Sequence, residues 1–355
     1  MLRLEPRPTP STAMLFATPI LAVVLTLIGG FLLFAVLGAD PLDALYAFFV
    51  SPLSNAYGLA ELTVKAVPLL LCAVGLSVGF RANIWNIGAE GQFVMGAICG
   101  GGVGLFWAKA LGPATLPVMF LAGMAGGLVW AGIPAFLKLR FNASEILTSL
   151  MLTYVAQLLL TWLVRGPWRD PMGFNFPQSK MFEGAALITP FIHGTRLGIG
   201  APLAVLVAIA VWVLISKSFL GFQIRVIGMT PMAAGYAGFD RKKITWFALL
   251  LSGALAGMAG LNEVAGPIRQ LLPVVSPGYG FTAIIVAFLG RLHPIGIIFA
   301  SLLVALSYLG GESAQISLGL PVAVTGVFQG MLLFFLLACE VLVRYRLRWR
   351  RTAPV

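Results

Sequence analysis

Long uncharged apolar stretches, separated by short polar runs, organise the chain. The hydrocarbon core of a bilayer takes about 20 apolar residues as a helix. Residues 14–38 carry no charge except at Asp40 just beyond them, and they form a first span. Further spans are expected at 59–80, 84–108, 116–137, 143–164, 199–216, 244–262, 278–290, 294–310 and 320–343, ten in all. The segment 278–290 is too short to cross alone, so it reads as a half-helix or re-entrant piece. Setting aside two weak segments leaves eight spans, again an even number.

Composition agrees with that path. Of 355 residues, 59% are apolar and 10% charged, against about 45–50% and about 25% in soluble proteins. A soluble globule of this size would need more charged surface. An ordinary cytosolic enzyme and a disordered or collagenous chain are therefore excluded, and an integral membrane protein is expected. The 41 glycines fit, because membrane helices carry more glycine than soluble ones.

The net charge of +11 raises the question of nucleic acid. The charges sit in short runs between apolar stretches, which argues for the positive-inside rule and against a nucleic-acid partner. With the N-terminus inside and spans alternating, 16 of the 23 Lys and Arg fall inside and 7 outside. Both termini are thus expected in the cytoplasm. Residues 1–13 form a cytoplasmic N-terminal tail, 14–343 the transmembrane domain, and 344–355 a basic cytoplasmic tail that anchors to anionic lipid. The first apolar run is too long for a cleaved signal peptide, so it reads as a retained helix. Cys72, Cys99 and Cys339 lie in apolar segments and give no disulfide or metal spacing. With two histidines and no H-E-x-x-H, no metal and no cofactor is expected.

Two connections stand out. Residues 165–198, outside, are rich in Pro, Gly and aromatics. They read either as a cap or contact for an external partner, or as a solvated loop with Trp168 and Phe anchors at the interface. Residues 217–243, inside, carry Met229, Met232, Ala233, Ala234, Tyr236 and Phe239 between charged ends. Thr230 followed by Pro231 predicts a helix start, and Gly235 and Gly238 soften its end. A short amphipathic helix at the membrane surface is expected. The order of spans also allows an inverted repeat, with spans two to five and seven to ten each interrupted near the start by Gly or Pro.

No G-x-x-x-x-G-K-[ST] occurs, so the chain supplies no Walker-type nucleotide site. Gly253, Gly257 and Gly260 read as a helix-packing face. The stretch 79–96, GFRANIWNIGAEGQFVMG, is the most informative. Asn83, Asn86, Glu90 and Gln92 offer hydrogen bonds to a polar solute, and Trp85 a stacking face for a planar one. An ionisable group at membrane depth costs at least about 2.5 kcal/mol and should face protein or water. Pathway lining is one reading; a cytoplasmic hairpin turn anchored by Arg81 is the other. Glu61 and Lys65, at i and i+4, suggest a structural ion pair. Glu145 reads as a helix-start acid or an interface contact. Asn262 and Glu263 at the end of span seven, and Glu312 in the turn GGES, could guard an entrance, but each reads more simply as a solvated helix end.

Three stretches carry a resemblance: KAVPLLLCAVGLSVGFRANIWNIGAEGQFVMGA, RVIGMTPMAAGYAGFDRKKITWFALLLSGALAGMAG, and PGYGFTAIIVAFLGRLHPIGIIFASLLVALSYLGG. Together they resemble permease subunits of bacterial ABC importers for nucleosides and simple sugars, within the branched-chain amino acid and ribose permease superfamily. NIGAEGQ resembles the nucleoside branch, since sugar permeases usually carry a more acidic version there. The resemblance implies an all-α polytopic fold of about ten transmembrane helices, vitamin-B12-importer-like (type II), in the bacterial inner membrane. It implies cytoplasmic ABC ATPase subunits, a second and shorter permease subunit, and an external substrate-binding lipoprotein as partners. Arg225, Gly228, Met229, Pro231, Met232, Ala233, Ala234, Tyr236, Gly238 and Asp240 would then form the ATPase-coupling segment. Chemistry on the solute is not expected, and ATP hydrolysis would belong to the partners. A permease for simple sugars or branched-chain amino acids is the alternative. A secondary transporter would need a carboxylate relay, for which only Glu90 is well placed. An intramembrane enzyme would need a His, Asp or Ser constellation at membrane depth, and the sequence shows none.

Overall fold

The computed structural model describes residues 2–6, 12–321 and 323–349. Residues 7–11 of the expected N-terminal tail and 350–355 of the basic tail lie outside the described residues. Strand β1 (Leu2–Pro6) precedes α1 (Thr12–Val36) and the short α2 (Pro41–Leu45). Next come α3 (Ala56–Arg81), α4 (Ala89–Phe106), α5 (Ala108–Leu111), α6 (Thr115–Phe141) and α7 (Glu145–Arg165). Helices α8 (Gly200–Lys217), α9 (Phe219–Met229) and α10 (Pro231–Tyr236) lead to α11 (Arg241–Glu263). The chain continues through α12 (Tyr279–Leu289), α13 (Pro294–Leu318), α14 (Ala323–Arg344) and β2 (Tyr345–Trp349).

Ten of these helices coincide with the ten expected spans. Eight are long and apolar enough to cross a membrane. The other two are α4 and α12. Helix α4 begins with the polar run Ala89–Gln92, which lowers its hydropathy. Helix α12 has 11 residues and is about 16 Å long, roughly half the hydrocarbon thickness. The half-helix expectation is met.

The chain divides into two compact units, the boundary falling within α13. One unit holds the segment up to Asn55 and the segment from Leu306 onward. Here α1 packs on α14 around Phe34, Phe48 and Phe328, with the last two stacked at 4.5 Å between ring centres. The Asp40 carboxylate caps α2, accepting from the backbone N–H of Leu42 and Asp43 at 2.9 and 3.3 Å. Strands β1 and β2 pair antiparallel, Leu2 opposite Trp349 and Arg3 opposite Arg348. Among the described residues this ribbon is the only departure from helix and turn. It lays the two described tail segments side by side.

The other unit, Ala56–Ala305, is built around α3, α4, α6 and α11. From Ala66 to Phe80 helix α3 is uncharged on every side, and 89% of its spanning window is buried, against 28% for α7 and α8. An all-round apolar helix belongs in the middle, and α7 and α8 are peripheral. Helix α11 crosses α4 and α6 at glycines. A Cβ on Gly257 would run into the Gly123 carbonyl and come within 3.0 Å of Gly127. The packing reading of Gly253 and Gly257 is therefore met, with close backbone approach as the reason. Three segments meet on one face: the Arg81 Nε–H donates to the Leu292 carbonyl at 3.0 Å, and Gly228 of α9 lies against the Arg81 carbonyl.

Candidate functional site

The turn between α3 and α4 is held by its own polar groups. Ala82 and Ile84 donate backbone N–H bonds to the Gly79 carbonyl, both at 2.9 Å. Asn83 takes a left-handed conformation, φ 56°, which Asn tolerates better than most residues. Its Oδ1 accepts from the Trp85 indole N–H at 3.1 Å. The Trp85 ring packs on Phe288 and Phe80, centres 5.8 and 5.0 Å away. Asn86 and Gln92 exchange two amide hydrogen bonds, at 2.8 and 3.1 Å. Asn86 also donates to the Ser252 hydroxyl at 3.0 Å and accepts from the Gly88 N–H at 3.0 Å. Both amides are buried. This network ties the turn to α11.

Glu90, 1% exposed, has a different setting. Its Oε2 accepts from the Gly280 N–H at 2.6 Å, and Ser276 and Gly278 also hydrogen-bond the carboxylate. The Ser276 hydroxyl caps the start of α12, accepting from Gly278 and Tyr279 at 3.1 and 2.9 Å. A carboxylate at a helix start is favoured by the peptide dipoles. Gly280 is needed there: a Cβ would collide with the backbone of Glu90. Glu90 also lines a cleft. That cleft measures about 360 Å³ and is walled by Val94, by Tyr154, Gln157, Leu158, Leu160 and Thr161 of α7, and by residues 273–276. The α7 residues were not singled out in the sequence. Their signal is there: Tyr154, Gln157 and Thr161 repeat at i, i+3 and i+7 inside an apolar span, a polar stripe on one helix face.

The 217–243 connection is structured throughout. Ser218 caps α9 by accepting from the Gly221 N–H at 3.0 Å, and Arg225 donates back to the Gly221 carbonyl at 3.4 Å. Helix α10 starts at Pro231 with Thr230 in the cap position. The Thr230 hydroxyl turns back to the Val226 carbonyl at 3.4 Å instead of capping. Met229, Met232 and Tyr236 are 80%, 84% and 95% exposed; Pro231 and Ala233 are exposed and Ala234 is buried. Gly238 takes φ 76°, which reverses the chain before Asp240. The Asp240 carboxylate caps α11, accepting from Lys242 and Lys243 at 2.9 and 3.2 Å.

The opposite face carries a second charged cluster. Glu61, 2% exposed, is gripped by both Nε and Nη2 of Arg196. To the Lys65 that the sequence spacing pointed to, the structure adds a partner 135 residues away. This bond raises the Arg196 guanidinium further above its ordinary value. Asn262 and Glu263 are a correction: they are 6% and 8% exposed, not a solvated end. Helix α11 runs on into a π-helical turn, Val264–Ile268, and residues 165–198 fold over it. Ile188 donates to the Ala265 carbonyl at 3.0 Å, Phe182 to Arg269 at 2.8 Å, and Ser179 to Leu271 at 3.0 Å. Glu145 begins α7, as expected of a helix-start acid, and forms an ion pair with Lys138.

Comparison with known proteins decides what this scaffold is. Residues 58–337 match the family model described as the branched-chain amino acid transport system / permease component. The chain belongs to that permease family. The glucose ABC transporter permease protein TsgB13 of Haloferax volcanii is 38% identical over 97% of this chain and 93% of its own length. The guanosine ABC transporter permease protein NupP of Bacillus subtilis is 29% identical over 89% of this chain and 91% of its own. The solved structure of PsaBC from Streptococcus pneumoniae aligns with TM-score 0.45 and 14% identity, over 81% of this chain and 91% of that one.

The chain is thus a multi-pass ABC permease subunit of the nucleoside and sugar type. Among the described residues no cluster of three His, Cys, Asp or Glu side chains is placed to hold a metal. Asn86 and Gln92 of this permease are spent on each other and on Ser252. Glu90 reaches an open cleft.

Proposed function

We propose that this permease forms one half of the pathway of an ATP-driven importer for nucleosides or related neutral ring solutes, working by alternating access. The exposed face of the 217–243 connection carries the reading. Met229, Met232 and Tyr236 stand in the open on a structured turn between two capped helices. Aromatic and Met side chains belong at the buried centre of protein interfaces. The partner they fit is an ABC ATPase subunit in the cytoplasm, the source of the hydrolysis that a chain without a Walker motif lacks. Arg225, Gly228, Pro231, Ala233, Ala234, Gly238 and Asp240 set that face at its angle.

The rest follows from this placement. The permease sits in the cytoplasmic membrane with both termini inside. A second, shorter permease subunit completes the pathway, and an external lipoprotein delivers solute to the 165–198 face. Glu90 faces the pathway, while Asn83, Trp85, Asn86 and Gln92 hold the turn that positions it. ATP binding moves the coupling face, and the glycine crossings of α4, α6 and α11 let helices slide between two packings of similar free energy.

A sugar is the second reading, favoured by the resemblance to a glucose permease across nearly the whole chain. Guanosine and glucose share an uncharged ring bearing several hydroxyls, so the chemistry asked of the pathway is similar. Co-purification tests the coupling claim. Replacing Met232 and Tyr236 together by Asp should release the ATPase subunits while the two permeases stay associated. ATPase retained at wild-type stoichiometry would contradict it.

A further inference from the structure

The cleft beside Glu90 asks for an occupant. Its volume, about 360 Å³, falls within the range of small-ligand sites, about 300–1,000 Å³. It opens beside the middle of α7, a helix long and apolar enough to span the membrane. Polar groups at that depth are costly against lipid. Among the described residues no hydrogen bond engages the Gln157 amide, whereas the Thr161 hydroxyl donates to the Gln157 carbonyl at 2.9 Å. The lining holds one carboxylate, Glu90, and no Lys, Arg or His. A phosphate ester or another anion would be repelled there, and hydroxyl donors would be welcomed. The Tyr154 ring, on the same face of α7, offers an apolar plane.

We propose that this cleft is a solute-contact subsite for a neutral ring carrying adjacent hydroxyls. Gln157 and the remaining acceptor capacity of Glu90 take the hydroxyls, and Tyr154 covers the ring's less polar face. The subsite rests on the importer reading above and adds residues that reading did not use. Because Glu90 already accepts from Gly280, it has only part of its capacity left, and the hold on solute is weak. Weak holding suits a pathway that must release what it binds.

The test uses the whole complex in proteoliposomes, with ATP-driven uptake of radiolabelled guanosine and glucose measured over a range of concentrations. Gln157→Leu keeps the size and removes the hydrogen bonds. It should raise KM about tenfold for the transported probe with Vmax within about twofold, the weight of one or two lost hydrogen bonds. Thr161→Trp, which fills the cleft, should abolish uptake while the complex purifies at wild-type yield. Leu206→Ala on the exposed side of α8 should change nothing. Unchanged KM in Gln157→Leu together with uptake through Thr161→Trp would overturn the subsite and leave the importer reading intact. A fall in Vmax without a change in KM in Gln157→Leu would also overturn it, as the mark of a structural role. ATP-independent uptake by the wild type would overturn the importer reading instead. Failure of the wild type to move either probe would overturn the solute class and the subsite with it.

Discussion

Three polar residues, Asn86, Gln92 and Ser252, show what single side chains do in this permease. Each amide satisfies the other in a place where water is absent, and an unpaired buried amide costs about 1–3 kcal/mol. Asn86→Ala should therefore lower stability by about 2–3 kcal/mol, leaving both Gln92 and the Gly88 N–H short of a partner. Ser252→Ala removes a single bond and should cost about 1 kcal/mol. Thermal unfolding in detergent checks both. Glu61 poses the same problem with a charge. Breaking a buried ion pair costs about 3–5 kcal/mol, but Arg196 is 43% exposed, so screening reduces the loss. Arg196→Ala should cost about 1–2 kcal/mol. Arg196→Lys should recover only part of it, because an ammonium cannot match the two-pronged grip. His293 gives a pH dependence. Burial and then the nearby Arg81 charge hold its imidazole below the usual 6.5. The unfolded chain then binds the proton more readily, so stability is full above about pH 6.5 and falls as the pH drops through the lowered value. The fall should be small and absent in His293→Gln.

At the scale of elements, α12 is the informative piece. Its start lies beside Glu90 with Gly280 packed against that residue's backbone. Gly280→Ala should push α12 from α4 and lower stability more than Gly235→Ala in α10, where a Cβ has open space. Comparing the melting points of the two variants checks this. The shortness of α12 was legible in the sequence because length and hydropathy are local properties. The glycine face of α11 was legible because spacing along one helix is local too. The same local reasoning could not reach Arg196, which comes to Glu61 from a loop far along the chain. It failed for Glu263, where the end of a helical pattern looked like a surface although the outer segment folds over it. The stripe Tyr154, Gln157 and Thr161 was present in the pattern. Its meaning depended on Glu90 and Ser276 meeting it from two other segments, which no spacing reveals.

At the scale of the molecule, membrane path and coupling face are two halves of one device. The spans were readable from the apolar runs. In the proposed mechanism the exposed Met and Tyr of the 217–243 connection take force from the ATPase, and the cleft beside Glu90 holds the solute. The central claim is that this permease moves a neutral ring solute only when an ATPase engages that connection. It is tested most directly by uptake of radiolabelled guanosine and glucose into proteoliposomes holding the whole complex, with and without internal ATP, for wild type and for Met232→Asp/Tyr236→Asp. The account predicts ATP-dependent uptake of at least one probe by the wild type, lost in the double variant. Uptake that needs no ATP, or that survives the double variant unchanged, would contradict it.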